Sequence, residues 1–143
     1  MAAKNEIKMT FPSNSENVGI ARVTAAAFAA QLDLTLNDIE EIKVAVSEAI
    51  SNAVIHGYGD KAGNVEFSMT LEDGVLEFIV SDHGKGIADI ALARQPSYSS
   101  DPERMGLGFV FMESFMDELR VESEVGKGTT VRMVKKTDVL PAH

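Results

Sequence analysis

Three polar side chains recur at intervals of four residues near the middle of the chain. Glu48, Asn52 and His56 stand at i, i+4 and i+8, a spacing that places them on one side of a helix. A carboxylate one turn before an amide suits phosphoryl transfer, because the carboxylate can deprotonate an attacking hydroxyl and the amide oxygen can bind Mg²⁺. Taken singly, each residue equally fits a solvated helix face.

Glu48, Asn52 and His56 together are called the polar stripe, and three glycine-rich segments follow it in the sequence. Asp82–Gly86 ends a predicted strand, Gly106–Gly108 opens a predicted helix, and Gly126–Thr130 joins two predicted strands. Each segment alone fits ordinary turn glycines. The sequence contains neither the Gly-x-x-x-x-Gly-Lys-[Ser/Thr] motif of a P-loop nor the Gly-x-Gly-x-x-Gly motif of a dinucleotide fold. A nucleotide site built from these segments would therefore follow another design.

Hydrophobic periodicity predicts the elements that position these residues. Their order predicts an α+β, two-layer fold with helices on one face of a mixed, largely antiparallel sheet. Between Ile87 and Leu107 the chain is polar and broken by proline, which predicts a loop. The predicted elements are a strand over Glu6–Phe11, a helix capped by Ser13 or Ser15 and running to about Gln31, a helix from Leu36, capped by Thr35, to about Gly57, a hairpin of Val65–Leu71 and Val75–Ser81, a helix over about Leu107–Phe115, and strands over Glu118–Ser123 and Thr129–Lys135.

Composition limits the class of protein. The 143 residues suit one domain, 1–143, and the absence of cysteine excludes disulfides and thiolate metal sites. No signal peptide or span of about 20 apolar residues is present, so we expect a cytoplasmic protein with no membrane partner. A net charge of −9 argues against direct nucleic-acid binding. It serves solubility, or steers association with a basic protein.

Taken in order along the chain, four motifs resemble the four boxes of the GHKL superfamily of ATPases and kinases. They are the polar stripe, Asp-x-Gly-x-Gly, Gly-x-Gly before a helix, and Gly-x-Gly-Thr. The resemblance implies a Bergerat ATP-binding fold with ATP or ADP and Mg²⁺ as ligands. It implies that Glu48 is the catalytic base and that Asn52 coordinates Mg²⁺. His56 is either a phosphate-side contact or a structural residue near the helix end.

The same resemblance assigns the glycine-rich segments to the nucleotide, and elementary chemistry agrees. The Asp82 carboxylate would read the adenine amino group, while glycines beside it let the backbone approach the base. The free amides and dipole of a helix N-terminus favour phosphate, and the loop before that helix would act as a lid. The residues assigned in this way are Gly84 and Gly86 beside the base, Gly106 and Gly108 at the phosphates, and Thr129 with Thr130 completing the adenine contact.

Within the superfamily, we expect neither the phosphoacceptor module of histidine kinases nor the transducer domains of topoisomerases and chaperones. From Lys4 to Lys136, and most specifically over residues 21–33, 47–58 and 101–112, it is similar to anti-sigma factors with serine kinase activity. The resemblance implies a homodimer that sequesters a sporulation sigma factor of the sigma F type. It also implies phosphorylation of a serine on the anti-anti-sigma antagonist, which keeps that antagonist from releasing the sigma factor.

Three residues are candidates for partner binding on the same grounds, namely Arg22 on the first helix and Glu103 and Arg104 in the lid; each equally fits an ordinary solvated charge. Two other functions stay open. One is a nucleotide-gated binding module without significant catalysis, in which ATP only orders the lid. The other is a general-stress anti-sigma kinase of the same family, which shares the chemistry and differs in its partners.

Overall fold

A five-stranded sheet forms the framework of the computed structural model, which describes residues 4–58, 61–95 and 105–137. Within these ranges every strand pair is antiparallel, so the expected mixed sheet shows no parallel pair there. The strands lie in the order β1-β2-β3-β5-β4, with bounds β1 Asn5–Pro12, β2 Asn64–Glu72, β3 Val75–Asp82, β4 Glu118–Glu124 and β5 Gly128–Lys136.

The helices cover one face of this sheet, which confirms the predicted α+β class with two layers. The second helix packs between the first and the last. Thr35 begins it with a reciprocal capping box, because its hydroxyl accepts from the Asp38 amide (3.1 Å) and its own amide donates to the Asp38 carboxylate (3.3 Å). The helices are α1 Glu16–Ala29, α2 Leu36–Asn52, α3 Ile90–Ala93 and α4 Met105–Phe115.

The core lies between α2 and the inner face of the sheet. Strand residues alternate, so Phe78 and Met133, which pair across β3 and β5, are both fully buried under α2. Small residues along α1, such as Ala21 and Ala25, are also fully buried and let this helix approach its neighbour closely. The other face carries side chains such as Ser68, and we call it the open face. None of the helices in the described ranges has the length and apolarity needed to span a bilayer.

Three local features differ from the sequence expectations. The helix expected to run to about Gly57 stays α-helical only to Asn52 and continues as a π-helical segment, Ala53–Tyr58, which we call the π-turn. A short helix, α3, lies in the expected irregular segment, where the Asp89 carboxylate accepts from the Leu92 amide (3.0 Å) and caps it. Ser15 precedes α1 as predicted, yet its side chain makes no capping hydrogen bond.

Candidate functional site

Four of the predicted site residues line one cleft between α2, the π-turn and the ends of β3 and β5. Asn52 comes from the last turn of α2 and His56 from the π-turn, where it is 6% exposed. Asp82 and Thr129 face each other across the β3–β5 ladder, which brings their side chains to the same wall. Apolar side chains complete the lining, namely Ala49, Ala53, Val80, Ile87 and Val131. A mostly apolar cleft with a few converging polar groups is the usual design of a small-molecule site.

Asp82 is the carboxylate at the bottom of this cleft. It is 6% exposed, and its Oδ1 accepts the Gly84 amide at 2.9 Å. Burial raises the pKa of the Asp82 carboxyl above its ordinary value, while hydrogen bonds from the Gly84 and Thr129 amides act in the opposite direction. The backbone thus fixes the orientation of this carboxylate and leaves it acceptor capacity toward the cleft.

Close backbone contacts hold Asp82 in place. A methyl group on Gly57 would stand 2.8 Å from the Asp82 carboxyl carbon, and one on Gly84 would overlap the Gly57 carbonyl group. The Lys85 amide donates to that same carbonyl oxygen at 2.9 Å. These contacts bring the π-turn and the loop after β3 so close together that only glycine fits at positions 57 and 84.

The two adjacent threonines of β5 point to opposite faces of the sheet. Thr129 is buried on the cleft side, where its hydroxyl shares a hydrogen bond of 2.7 Å with the Ser123 hydroxyl. Thr130 lies on the open face and shares a hydrogen bond of 3.0 Å with Ser81. The structure therefore brings Thr129 to the cleft and does not bring Thr130 there, because successive strand residues alternate between faces.

Glu48 and Asn52 lie beside the first turn of α4. A methyl group on Gly108 would stand 2.7 Å from Glu48 Oε2 and 3.7 Å from both Asn52 side-chain polar atoms. The absence of a side chain at this position therefore keeps open the space where the free amides of the helix start and the two polar groups meet. Burial raises the pKa of the Glu48 carboxyl, which brings it toward the range of a general base.

The remaining predicted glycines have packing reasons of their own. A methyl group on Gly106 would overlap the Gln95 carbonyl oxygen, so this glycine lets the chain before and after residues 96–104 approach closely. Gly86 adopts a φ of +76° and packs against the backbone of Glu124 at the β4–β5 turn. Gly86 is therefore required for a turn, whatever its distance from a bound base.

One observation that does not depend on the sequence motifs indicates that the cleft suits a nucleotide and its metal ion. Asn52 Nδ2 is buried and has no hydrogen-bond partner among the described residues. A buried donor without an acceptor is costly, so its presence beside the first turn of α4 indicates that a ligand supplies an acceptor there. The Asn52 amide oxygen is a ligand type that Mg²⁺ takes.

Of the predicted partner residues, Arg22 lies within the described ranges and does not line this cleft. Arg22 is exposed on α1, and the same helix also exposes two apolar side chains, Ile20 (56%) and Val23 (62%). Glu103 and Arg104 lie outside the described residues, so their predicted roles stay predictions.

Sequence reasoning missed several residues that shape the site. Gly57 was expected only as a helix stop, and Ser123, which anchors Thr129, was not singled out. Tyr58 was also passed over, although its hydroxyl accepts from the His83 amide, directly after Asp82 (2.7 Å). The sequence signal for Gly57 and Tyr58 is that they directly follow the polar stripe, within the segment 47–58 that carries the resemblance.

Comparisons with known proteins agree with this geometry. A family model described as a histidine kinase-like ATPase domain matches residues 11–135. Over 135 residues the chain is 54% identical to an anti-sigma F factor of Geobacillus kaustophilus (92% of each chain covered), and 50% identical to one of Clostridium acetobutylicum (93% and 94% covered). Among solved structures, the mycobacterial sensor histidine kinase MprB superposes with a TM-score of 0.59 at 18% identity, over 96% of this chain and 100% of that one. At this identity the structural likeness shows the fold alone.

Proposed function

The chain belongs to the histidine kinase-like ATPase family, and on this premise we propose that it is an ATP-dependent serine kinase that also acts as an anti-sigma factor of the sigma F type. The observation that carries the proposal is the convergence of Asn52, Asp82 and Thr129 in one cleft, with Glu48 beside the open start of α4. The identity to anti-sigma F factors supports the partner assignment.

Asp82 and Thr129 form the adenine end of the proposed site. The Asp82 carboxylate accepts from the amino group of the base, a contact that guanine cannot offer in the same place. Thr129, held by Ser123, supplies a hydroxyl on the same wall. The apolar side chains of Val80, Ile87 and Val131 supply surface for the purine ring.

Asn52 and the first turn of α4 form the phosphate end. Mg²⁺, when bound with the nucleotide, would supply charge neutralisation at the phosphates. Asn52 offers its amide oxygen to that ion, and the free amides around Gly106 and Gly108 donate to phosphate oxygens. His56 lies in the cleft wall between these two ends.

Glu48 is the proposed general base. It takes the proton of a serine hydroxyl on the partner protein as the serine oxygen bonds to the γ-phosphorus and the bond from that phosphorus to the bridging oxygen of ADP breaks. Its raised pKa favours proton uptake at neutral pH relative to an exposed carboxylate. Its position one helical turn before Asn52 supports this role, because it lies next to the residue proposed to hold the metal ion.

The anti-sigma activity is assigned to surfaces outside the cleft. We propose that the chain acts in the cytoplasm as a homodimer, and that it binds the sigma factor and the anti-anti-sigma protein through a surface that includes Arg22. The exposed Ile20 and Val23, which share a face of the same helix at i and i+3, support an interface on α1, because exposed apolar side chains suit a partner contact.

The test compares Glu48→Gln with the wild type in a phosphorylation assay with labelled Mg-ATP and a candidate anti-anti-sigma protein. Loss of a general base predicts a fall in the transfer rate of about 100-fold or more. Nucleotide affinity is expected to stay within about twofold, because the neutral amide keeps the shape of the side chain. Glu40→Gln is the matched control, since Glu40 lies on the same helix and pairs with Lys43 at the surface (3.1 Å).

The outcomes separate the proposed function from its alternatives. Full transfer by Glu48→Gln would remove Glu48 as the base. If the wild type binds nucleotide but no candidate partner becomes labelled, the gated binding module is favoured. The unsatisfied Asn52 amide supports that alternative, because nucleotide binding without transfer would be enough to satisfy it. Capture of a general-stress sigma factor in place of a sporulation one would favour the stress-type kinase.

A further inference from the structure

Tyr58 ends the π-turn with its hydroxyl between two strands. The phenol donates to the Asn64 carbonyl oxygen at 2.6 Å and accepts from the His83 amide at 2.7 Å. Asn64 begins β2, and His83 follows Asp82 directly. A hydroxyl has one proton to donate and lone pairs to accept with, so both bonds form at once.

The register of the β2–β3 ladder explains what this hydroxyl replaces. The last pair of the ladder is Glu66 with Ser81, so Asn64 and His83 would stand opposite each other two residues further along the same register. At that position the Tyr58 hydroxyl links the carbonyl of one to the amide of the other. The strands therefore separate after Ser81 while the Asn64 carbonyl and the His83 amide both keep a hydrogen-bond partner.

This separation determines where Asp82 lies. Once the chain diverges from β2, it approaches the π-turn, where Gly84 packs against the Gly57 carbonyl and its amide holds Asp82 Oδ1. The Tyr58 ring itself packs against the core, and Gly63 lies against its edge. The same residue thus ends the π-turn, fixes the start of β2 and holds the backbone beside the cleft carboxylate.

From these contacts we infer that Tyr58 is a positioning residue that sets the adenine specificity of the cleft through the backbone of His83 and Asp82. The inference rests on the proposed function, since it assumes that Asp82 reads the base. Without the hydroxyl, the His83 amide loses its acceptor and the loop holding Asp82 is less restrained. Contacts at the phosphate end, around Asn52, are unaffected.

The test measures the affinity of Tyr58→Phe for ATP and for inosine triphosphate, which carries a carbonyl oxygen where ATP has the amino group. Loss of one positioning hydrogen bond predicts a fall in ATP affinity of about three- to tenfold, with inosine triphosphate changed less than about twofold. The ratio of the two affinities therefore falls toward one. Ser81→Ala is the matched control, because it removes a hydroxyl hydrogen bond from the same strand on the open face and is expected to keep the wild-type ratio.

A second measurement reports on the restraint directly. In Tyr58→Phe, hydrogen exchange at the His83 and Gly84 amides is expected to accelerate about tenfold, whereas amides in the centre of β3 keep their protection. This readout needs no nucleotide, so it stays informative if binding is weak.

The results separate the reading of adenine by Asp82 from the role of Tyr58. A wild type that does not prefer ATP over inosine triphosphate would overturn the reading of adenine by Asp82, and the role of Tyr58 with it. A wild-type preference that Tyr58→Phe keeps in full would overturn the Tyr58 inference alone. An equal loss of both nucleotides would show that Tyr58 supports only the fold.

Discussion

A methyl group placed on Gly84 tests whether the contact between the π-turn and the loop after β3 creates the nucleotide site. In Gly84→Ala the new carbon would overlap the carbonyl group of Gly57 and stand 2.8 Å from its Cα. All of these atoms belong to the backbone, so no change of rotamer relieves the overlap. The two segments must move apart, and the Lys85 hydrogen bond to Gly57 is lost with their contact.

The structure gives the size of the effect. Overpacking of this kind costs about 1 to 3 kcal/mol, and a lost backbone hydrogen bond costs about 1 kcal/mol more. We therefore expect Gly84→Ala to lower the free energy of unfolding by about 2 to 4 kcal/mol. Because Asp82 Oδ1 is held by the Gly84 amide, nucleotide affinity is expected to fall about tenfold or more, which corresponds to about 1.4 kcal/mol.

Gly126→Ala is the matched control, since it also adds a methyl group to a loop glycine. Gly126 adopts a φ of +82° with nothing within 4 Å of the added carbon, so the cost is conformational, about 1 to 2 kcal/mol. Urea unfolding gives the stability of both variants, and calorimetric titration with ATP gives their affinities. Nucleotide affinity equal to wild type in folded Gly84→Ala would refute the reasoning, because the site would then not depend on this contact.

Other predictions concern the cap, the metal ligand and the buried carboxylate. Thr35→Ala removes the capping box of α2, and we expect urea unfolding to show a loss of about 1 kcal/mol with unchanged nucleotide affinity. Asn52→Ala is expected to bind nucleotide equally with and without a chelator, whereas the wild type loses affinity when Mg²⁺ is removed. Because burial raises the pKa of Asp82, its carboxyl stabilises the fold fully below its ordinary pKa and loses that contribution as pH rises through the raised value. The unfolding midpoint of the wild type, measured relative to that of Asp82→Asn, should therefore fall as pH rises from the ordinary pKa of this carboxyl through the raised one. A constant difference between these two midpoints would contradict the assigned shift.

Much of the fold could be predicted because its signals are local. The alternation in β2 and β3 and the capping pair of Thr35 and Asp38 depend on residues next to each other in sequence, and both appear in the structure. The order of the motifs along the chain likewise predicted which side chains would meet, and Asn52, Asp82 and Thr129 do meet.

What could not be predicted depends on contacts between distant residues. The π-turn has no sequence signature of its own, and it accompanies the contact of Gly57 with Asp82 and Gly84 across the cleft. The period-2 pattern of a strand predicts that one of the adjacent Thr129 and Thr130 faces the cleft, but it does not predict which one. The β3–β5 register, which pairs Asp82 with Thr129, decides which one does. The role of the Tyr58 hydroxyl depends on three separate segments meeting at one atom.

The open face of the sheet has a practical consequence for spectroscopy. Ser68 lies in the middle of β2 on that face, and the helices and the cleft are all on the other side. Since the sequence contains no cysteine, Ser68→Cys would introduce a single thiol for a fluorophore or a spin label. A probe attached there would sit on the face of the sheet opposite the cleft, so distance measurements to labelled partners could follow assembly without a label in either the cleft or the helical layer.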